Sequence, residues 1–204
     1  VLKCYCKGRG NVVYYRQRGE TESFAEEGRN RMGKIISFVN QKGGVGKTTS
    51  AVNVAACLGV LGYRTLLIDL DPQGNATTGV KIAKKNLKYT VCDLLTGNIN
   101  AADAVIQTEY DKLWVMPANG RLANTEFELY NGEEPVFVMR KALESLKTVF
   151  DYIIVDCPPS LGMLTVNSLT ASDGVVVPMQ CEFYALEGLS QLSKTIRTVH
   201  DNYN

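Results

Sequence analysis

The residues best suited to chemistry lie between Asn40 and Thr49, in the run Asn-Gln-Lys-Gly-Gly-Val-Gly-Lys-Thr-Thr. Three glycines within four residues allow the backbone to turn tightly enough for successive N–H groups to converge on one anion. Lys47 follows them at the position that reaches the β- and γ-phosphates of a nucleotide, and the hydroxyl of Thr48 is placed to bind Mg²⁺. The run therefore predicts a cradle for a nucleoside triphosphate.

The segments on either side of this cradle predict the strand and the helix that such a site requires. Residues 34–39 are mostly apolar, which is typical of a buried strand, and residues 48–61 predict a helix. A helix that begins at the glycine turn directs roughly half a positive charge at the bound phosphates. Strand, turn and helix together predict a phosphate loop.

Acidic residues end two other apolar runs. Asp156 follows the run 152–155, and a carboxylate at the end of a buried strand facing the cradle suits coordination of Mg²⁺ through water, the Walker B role. Asp69 and Asp71 end the run that begins at Thr65. Only one of the two can easily face the nucleotide, and the spacing alone does not decide which one does.

From residue 32 onward, segments typical of strands alternate with segments typical of helices. Further strands are predicted at 113–117, 152–156 and 174–178, and helices at 90–95, 101–106, 135–150, 161–169 and 185–199. Residues 72–80, which contain proline and two glycines, predict a loop. The alternation predicts an α/β fold, a doubly wound and mostly parallel sheet with helices on both faces.

Composition and charge restrict the number of domains and the kinds of partner that the chain can have. The 204 residues are 45% hydrophobic and 21% charged, as expected for one globular domain. Residues 1–31 hold seven of the 22 lysines and arginines and four of the 21 acidic residues, so residues 32–204 hold 15 basic and 17 acidic ones. Binding to nucleic acid therefore requires a local patch. No apolar run approaches the roughly 18 residues of a membrane span and no secretory leader is recognisable, so we expect a cytoplasmic protein.

Residues 1–31 fit poorly with the pattern that follows. They are rich in Arg, Gly and Glu and show no clear helical or strand period. We interpret them as an upstream extension, non-native or disordered, with Met32 as the natural start of a phosphate-loop ATPase domain over residues 32–204. The competing interpretation is a basic arm that contacts DNA.

The cradle departs from the ordinary phosphate loop at Gln41, where glycine is usual, and at Lys42, an extra lysine before the glycines. This deviant form is followed, in order, by Asp71-Pro-Gln-Gly-Asn and by Asp156-Cys-Pro-Pro-Ser. The combination resembles the ParA/Soj-type partitioning ATPases, which are related to the MinD division-site ATPases. The resemblance runs from Met32 to about Asn204, and the loop after Asp71 favours the partitioning branch.

The resemblance implies roles for residues that spacing leaves undecided. It implies that Asp71 orients the attacking water and that Asp69 is structural or supports the residues that touch the ligand. It implies that Lys42 crosses a face-to-face dimer to touch the phosphates of the other subunit, with Gly43 at the same contact. Catalysis is thus assigned to Lys42, Lys47 and Asp71, Mg²⁺ to Thr48 and Asp156, and nucleotide contacts to Lys42, Gly43, Gly44, Val45, Gly46, Lys47, Thr48 and Thr49.

The resemblance also implies a function. It implies a weak ATPase for chromosome or plasmid partition that forms an ATP-dependent sandwich homodimer, binds DNA without sequence preference and responds to a ParB-like partner in the nucleoid. Family members continue with elements that complete the sheet and carry basic residues for DNA, so we expect this chain to lack its C-terminal elements. Residues 178–188 resemble a family block expected beside the nucleotide or the dimer face.

Three alternatives remain open. A MinD-like, membrane-associated division-site ATPase requires a C-terminal amphipathic helix. A metabolic or iron–sulfur enzyme of the same superfamily requires a substrate loop or clustered cysteines, whereas the six cysteines here are scattered and His200 is the one histidine. An inert fragment would keep the motifs without activity.

Overall fold

The computed structural model describes Lys3–Cys4, Asn11–Tyr15, residues 32–180 and residues 183–204. The strands are β1 (Lys3–Cys4), β2 (Asn11–Tyr15), β3 (Lys34–Phe38), β4 (Thr65–Asp69), β5 (Ile106–Gln107), β6 (Leu113–Met116), β7 (Tyr152–Asp156) and β8 (Gly174–Met179). The α-helices are α1 (Lys47–Val60), α2 (Asn75–Gly79), α3 (Val91–Leu95), α4 (Leu122–Tyr130), α5 (Val138–Leu143), α6 (Met163–Ala171) and α7 (Phe183–Tyr203). Two short 3-10 helices span Ala101–Ala104 and Glu144–Thr148.

The strands form one sheet in the order β1-β2-β8-β3-β7-β4-β6-β5. The five strands from β8 to β6 are parallel, whereas β2 pairs with β8 and β5 pairs with β6 in the antiparallel direction. Asp156 pairs with Phe38 on one side and with Asp69 on the other, so β3, β7 and β4 end at the same level. The predicted mostly parallel α/β sheet is confirmed, and the carboxyl ends of its central strands meet at one edge.

Both faces of the sheet are covered by helices, which explains why the central strands are apolar throughout. Ile153 and Val155 pack into the larger core cluster with α3 to α7, while Ile154 points to the opposite face, where α1 and α2 lie. All three side chains are fully buried. Alternation along each strand therefore divides the core into two layers, one on each side of the sheet.

The differences from the sequence prediction concern short elements. The helix α2 lies inside the predicted loop 72–80, and the predicted helix 135–150 begins at Val138 and continues from Glu144 as a 3-10 helix. The predicted helix 101–106 divides into a 3-10 helix and β5. The sequence pattern does not predict α4, because Phe127 and Tyr130 face outward with 74% and 59% of their surface exposed and so obscure its apolar stripe.

The N-terminal segment contributes two strands although its sequence shows no clear period. Backbone pairing places β2 beside β8 and β1 beside β2. The rest of residues 1–31 lies outside the described residues, and their interpretation as an extension stays a prediction. Residues 181 and 182 of the block 178–188 also lie outside them. In the described part of the chain, no helix is both long and apolar enough to cross a membrane.

Gly33 joins the N-terminal end of β3 to the turn that precedes β7. Its N–H donates to the carbonyl of Lys147 at 2.7 Å, and a Cβ added at Gly33 would lie 1.9 Å from the backbone oxygen of Phe150. We expect Gly33→Ala to lower the free energy of unfolding by about 1–3 kcal/mol, because backbone must move to admit the methyl group. Denaturant unfolding measures the loss. Gly120→Ala is the matched control, since no atom lies within 4 Å of its added Cβ, and equal losses in the two variants would contradict the prediction.

Candidate functional site

The glycine turn between β3 and α1 has the geometry of an anion site. Gly44 and Gly46 have φ angles of 72° and 89°, which are left-handed conformations that residues with a side chain rarely adopt. Gly46 is also the N-cap of α1, and it provides no side-chain cap. The first-turn N–H groups of this 14-residue helix therefore point into the turn, where an anion can accept their hydrogen bonds.

Lys47 places a cation inside the turn. Its side chain is buried, and its Nζ donates to the backbone carbonyl of Lys42 at 3.2 Å. Burial lowers the pKa of Lys47, while the negative charges of Asp156 and Asp71 act in the opposite direction. An ammonium group held among backbone donors, with two carboxylates near it, can bind a phosphate that also carries a divalent cation.

Asp156 is a carboxyl group in an unfavourable, buried environment. It is fully buried at the end of β7, and neither carboxylate oxygen has a hydrogen-bond partner of ordinary geometry among the described residues. Burial raises the pKa of Asp156 to about 7; the nearby Thr48 hydroxyl opposes the rise and the charges of Asp69 and Asp71 add to it. A buried carboxylate without partners costs folding free energy, so its retention points to a ligand.

The side chains around Asp156 are suited to binding Mg²⁺. Thr48 and Asp156 supply oxygen donors close together, and Mg²⁺ bound to a nucleotide takes its remaining ligands from phosphates and water. Among the described residues, no group of three or more His, Cys, Asp or Glu side chains could hold a metal ion alone. The arrangement therefore suits a cation that arrives with a nucleotide.

The structure gives different surroundings to Asp69, the last residue of β4, and Asp71, two residues later. Asp69 is fully buried, and it accepts hydrogen bonds from the N–H and hydroxyl of Thr77, both at 2.7 Å, and from the N–H of Asp71 at 3.2 Å. Burial raises the pKa of Asp69, and these hydrogen bonds oppose the rise. With both of its oxygens engaged, Asp69 organises the loop, which leaves Asp71 as the aspartate that can act on a ligand.

The structure brings together four of the predicted site residues. The charge of Lys47 interacts with the carboxylates of Asp71 and Asp156, and Thr48 adjoins Asp156. The other predicted residues form the rim: Lys42, Gly43, Gly44 and Thr49 are exposed, and Val45 and Gly46 are half-buried.

Two residues that position the site have no role in the sequence prediction. The amide nitrogen of Asn40 donates to the carbonyl of Pro178 at 2.8 Å and its oxygen accepts the N–H of Lys42 at 3.0 Å, so the turn is tied to the end of β8. Thr77 fixes Asp69. An asparagine at the start of a glycine turn is a usable sequence signal, whereas Thr77 depends on the tertiary fold.

Comparison with known proteins finds relatives in sequence over most of the chain. The AAA domain family matches residues 33–204. The chain is 53% identical over 173 residues to the sporulation initiation inhibitor protein Soj of Bacillus subtilis, an alignment that covers 85% of this chain and 68% of that protein. It is 46% identical over 200 residues to the chromosome partitioning protein ParA of Myxococcus xanthus, covering 98% of this chain and 68% of that one.

A solved structure shares the architecture. Cobyrinic acid a,c-diamide synthase from Mycobacterium smegmatis, crystallised with bound ADP and magnesium, superposes with a TM-score of 0.81 at 39% identity. The match covers 85% of this chain and 70% of that one.

Proposed function

The chain belongs to the AAA domain family and, within it, to the Soj/ParA-type partitioning ATPases, and from this premise we propose that it binds and slowly hydrolyses Mg·ATP to drive partition of a chromosome or plasmid. ATP and Mg²⁺ are its cofactors. The observation that carries the proposal is the buried carboxylate of Asp156, which lies beside Thr48 and Lys47 and has no hydrogen bond of ordinary geometry from the described residues.

Each residue of the site has a part in this reaction. Lys47 and the N-terminus of α1 bind the β- and γ-phosphates and hold the nucleotide in place. Thr48 and, through water, Asp156 would hold Mg²⁺, which when bound neutralises charge on the phosphates. Asp71, two residues after the end of β4, orients the attacking water. Catalysis is therefore positioning together with electrostatic stabilisation, and slow turnover follows if part of the site comes from a second molecule.

That second molecule is a copy of the same chain. Lys42 lies on the exposed rim of the turn, where its side chain can reach a partner docked face to face over the nucleotide. ATP thus joins two copies in a sandwich dimer, which binds DNA without sequence preference through phosphate contacts in the nucleoid and is released by a ParB-like partner. The membrane-associated, MinD-like function is the alternative, and co-sedimentation with anionic liposomes would favour it.

The molecular mass in solution tests the proposal. We expect the 22.4 kDa chain to be a monomer with Mg·ADP and a dimer with Mg·ATP, because only the γ-phosphate completes the contact between the two copies. Light scattering after gel filtration measures the mass, and Asp71→Ala keeps ATP intact during the run. Calorimetry with Mg·ATP and Mg·ADP is the control for binding. A folded protein that takes up no ATP would contradict the whole proposal, and one that binds ATP as a monomer would contradict the dimer.

A further inference from the structure

A lysine outside all the recognised motifs contacts the loop that carries Asp71. Lys84 lies in the segment between α2 and α3, and its Nζ donates to the backbone carbonyl of Gln73 at 2.7 Å. Gln73 is the second residue after Asp71. The contact therefore joins an exposed cation to the backbone of the candidate water-orienting loop.

The peptide between Gln73 and Gly74 is held at both of its polar ends. Its carbonyl accepts the hydrogen bond from Lys84, and its N–H, that of Gly74, donates to the carbonyl of Asp71 at 2.8 Å. The preceding N–H, that of Gln73, donates to Oδ1 of the Asp71 carboxylate at 2.9 Å. Gln73 thus joins the two contacts: its N–H binds the Asp71 carboxylate and its carbonyl is held by Lys84.

The aliphatic stem of Lys84 also packs over this loop. Gly74 has a φ angle of 63°, and a Cβ added there would lie 2.8 Å from Cδ of Lys84 and 3.0 Å from the carbonyl oxygen of Ala118. Ala118 is itself fixed, because its N–H donates to the hydroxyl of Thr77 at 3.0 Å. Gly74 is therefore enclosed between the backbone that follows β6 and the side chain of Lys84.

We propose that Lys84 is a positioning residue for Asp71. By holding the carbonyl of Gln73, its ammonium group fixes the turn that aims the Asp71 carboxylate. The inference rests on the proposed ATPase function for its kinetic consequence, but the structural link between Lys84 and the loop stands by itself. ATP binding depends on the glycine turn and Lys47, which Lys84 does not contact in the described structure, so its loss affects turnover and leaves affinity unchanged.

Three variants distinguish the effect of the Lys84 hydrogen bond from the effects of its charge and of its packing over Gly74. Lys84→Met keeps the stem over Gly74 and removes the ammonium group, while Lys84→Arg keeps a donor. Lys85→Met is the matched control, because it removes the same charge from the next exposed position, where the described structure records no hydrogen bond or ion pair. For Lys84→Met we expect kcat to fall about tenfold with an unchanged Kd for ATP, since small misplacement of a catalytic group is costly. We expect Lys84→Arg to restore most of the rate.

Hydrogen exchange at the Gly74 amide gives a second measurement that needs no turnover. In the nucleotide-free protein we expect this amide to exchange several-fold faster in Lys84→Met than in the wild type, and at the wild-type rate in Lys85→Met. Unchanged exchange in Lys84→Met overturns the inference, and so does a fall in kcat of the same size in Lys85→Met. A wild-type protein that does not hydrolyse ATP contradicts the proposed function instead, and the exchange rates then decide the inference alone.

Discussion

Replacing Asp156 with asparagine is expected to stabilise the nucleotide-free protein while lowering ATP turnover at least about 100-fold. The amide has nearly the same shape but carries no charge to bury, and it offers no negative charge to hold Mg²⁺ and its bound water in the proposed site. Loss of a group that stabilises the charge of phosphoryl transfer costs turnover on this scale. The substitution is therefore expected to change folding stability and ATP turnover in opposite directions.

The gain in stability has a predictable dependence on pH. Burial raises the pKa of Asp156 to about 7 from its ordinary value of 3.8, so between these values the folded protein holds a proton that the unfolded chain has released. The contribution of Asp156 to the free energy of unfolding is thus most favourable below about pH 4, falls as the pH rises to about 7 and is level above it. The fall amounts to up to about 4 kcal/mol, at about 1.4 kcal/mol for each pH unit. Asp156→Asn lacks this contribution, so the difference between the two proteins isolates it.

Denaturant unfolding of the wild type and Asp156→Asn at pH 5, 7 and 8.5 measures the difference. The variant's advantage should grow from pH 5 to pH 7 and then remain constant. Asp111→Asn is the matched control, since Asp111 is exposed in the turn before β6 and its substitution should have no such effect. An Asp156→Asn protein that is no more stable than the wild type at pH 8.5 would show that the carboxylate is compensated in the folded state.

The sequence predicts the parts of the site that are local in the chain. The glycine turn and Lys47 are consecutive, and the position of Asp156 follows from the rule that parallel strands end at one edge of the sheet. The choice between Asp69 and Asp71 is different. It depends on Thr77, whose N–H and hydroxyl engage Asp69 from a helix that the loop-like composition of residues 72–80 conceals.

The fold shows the same division between local and long-range information. The central strands are recognisable because both of their faces are buried, and their apolar runs are continuous. The antiparallel direction of β2 and β5 is set by pairing with β8 and β6, which no short segment encodes. The contact from Lys84 to Gln73 likewise spans 11 residues, and exposed lysines give no pattern that predicts it.

Replacing Lys42 with alanine is expected to lower ATP turnover about 100-fold or more while leaving ATP affinity of the monomer within about twofold, the scale of a cation supplied in trans to a phosphoryl transfer. Within one chain, Lys42 contributes to the turn through its backbone: its N–H donates to Asn40 and its carbonyl accepts from Lys47. Alanine keeps both of these hydrogen bonds. Calorimetry with Mg·ATP and steady-state kinetics measure the two quantities separately.

A mixture of two inactive variants tests whether Lys42 acts across the dimer. Lys42→Ala keeps Asp71, and Asp71→Ala keeps Lys42, so in a mixed dimer the Lys42→Ala subunit receives the missing cation from its partner and regains a complete site. Because half of the dimers in an equal mixture are mixed and each has one complete site, the mixture should recover about a quarter of the wild-type rate per chain. If Lys42 acts within its own chain, neither subunit of a mixed dimer is complete and the mixture stays as slow as its components.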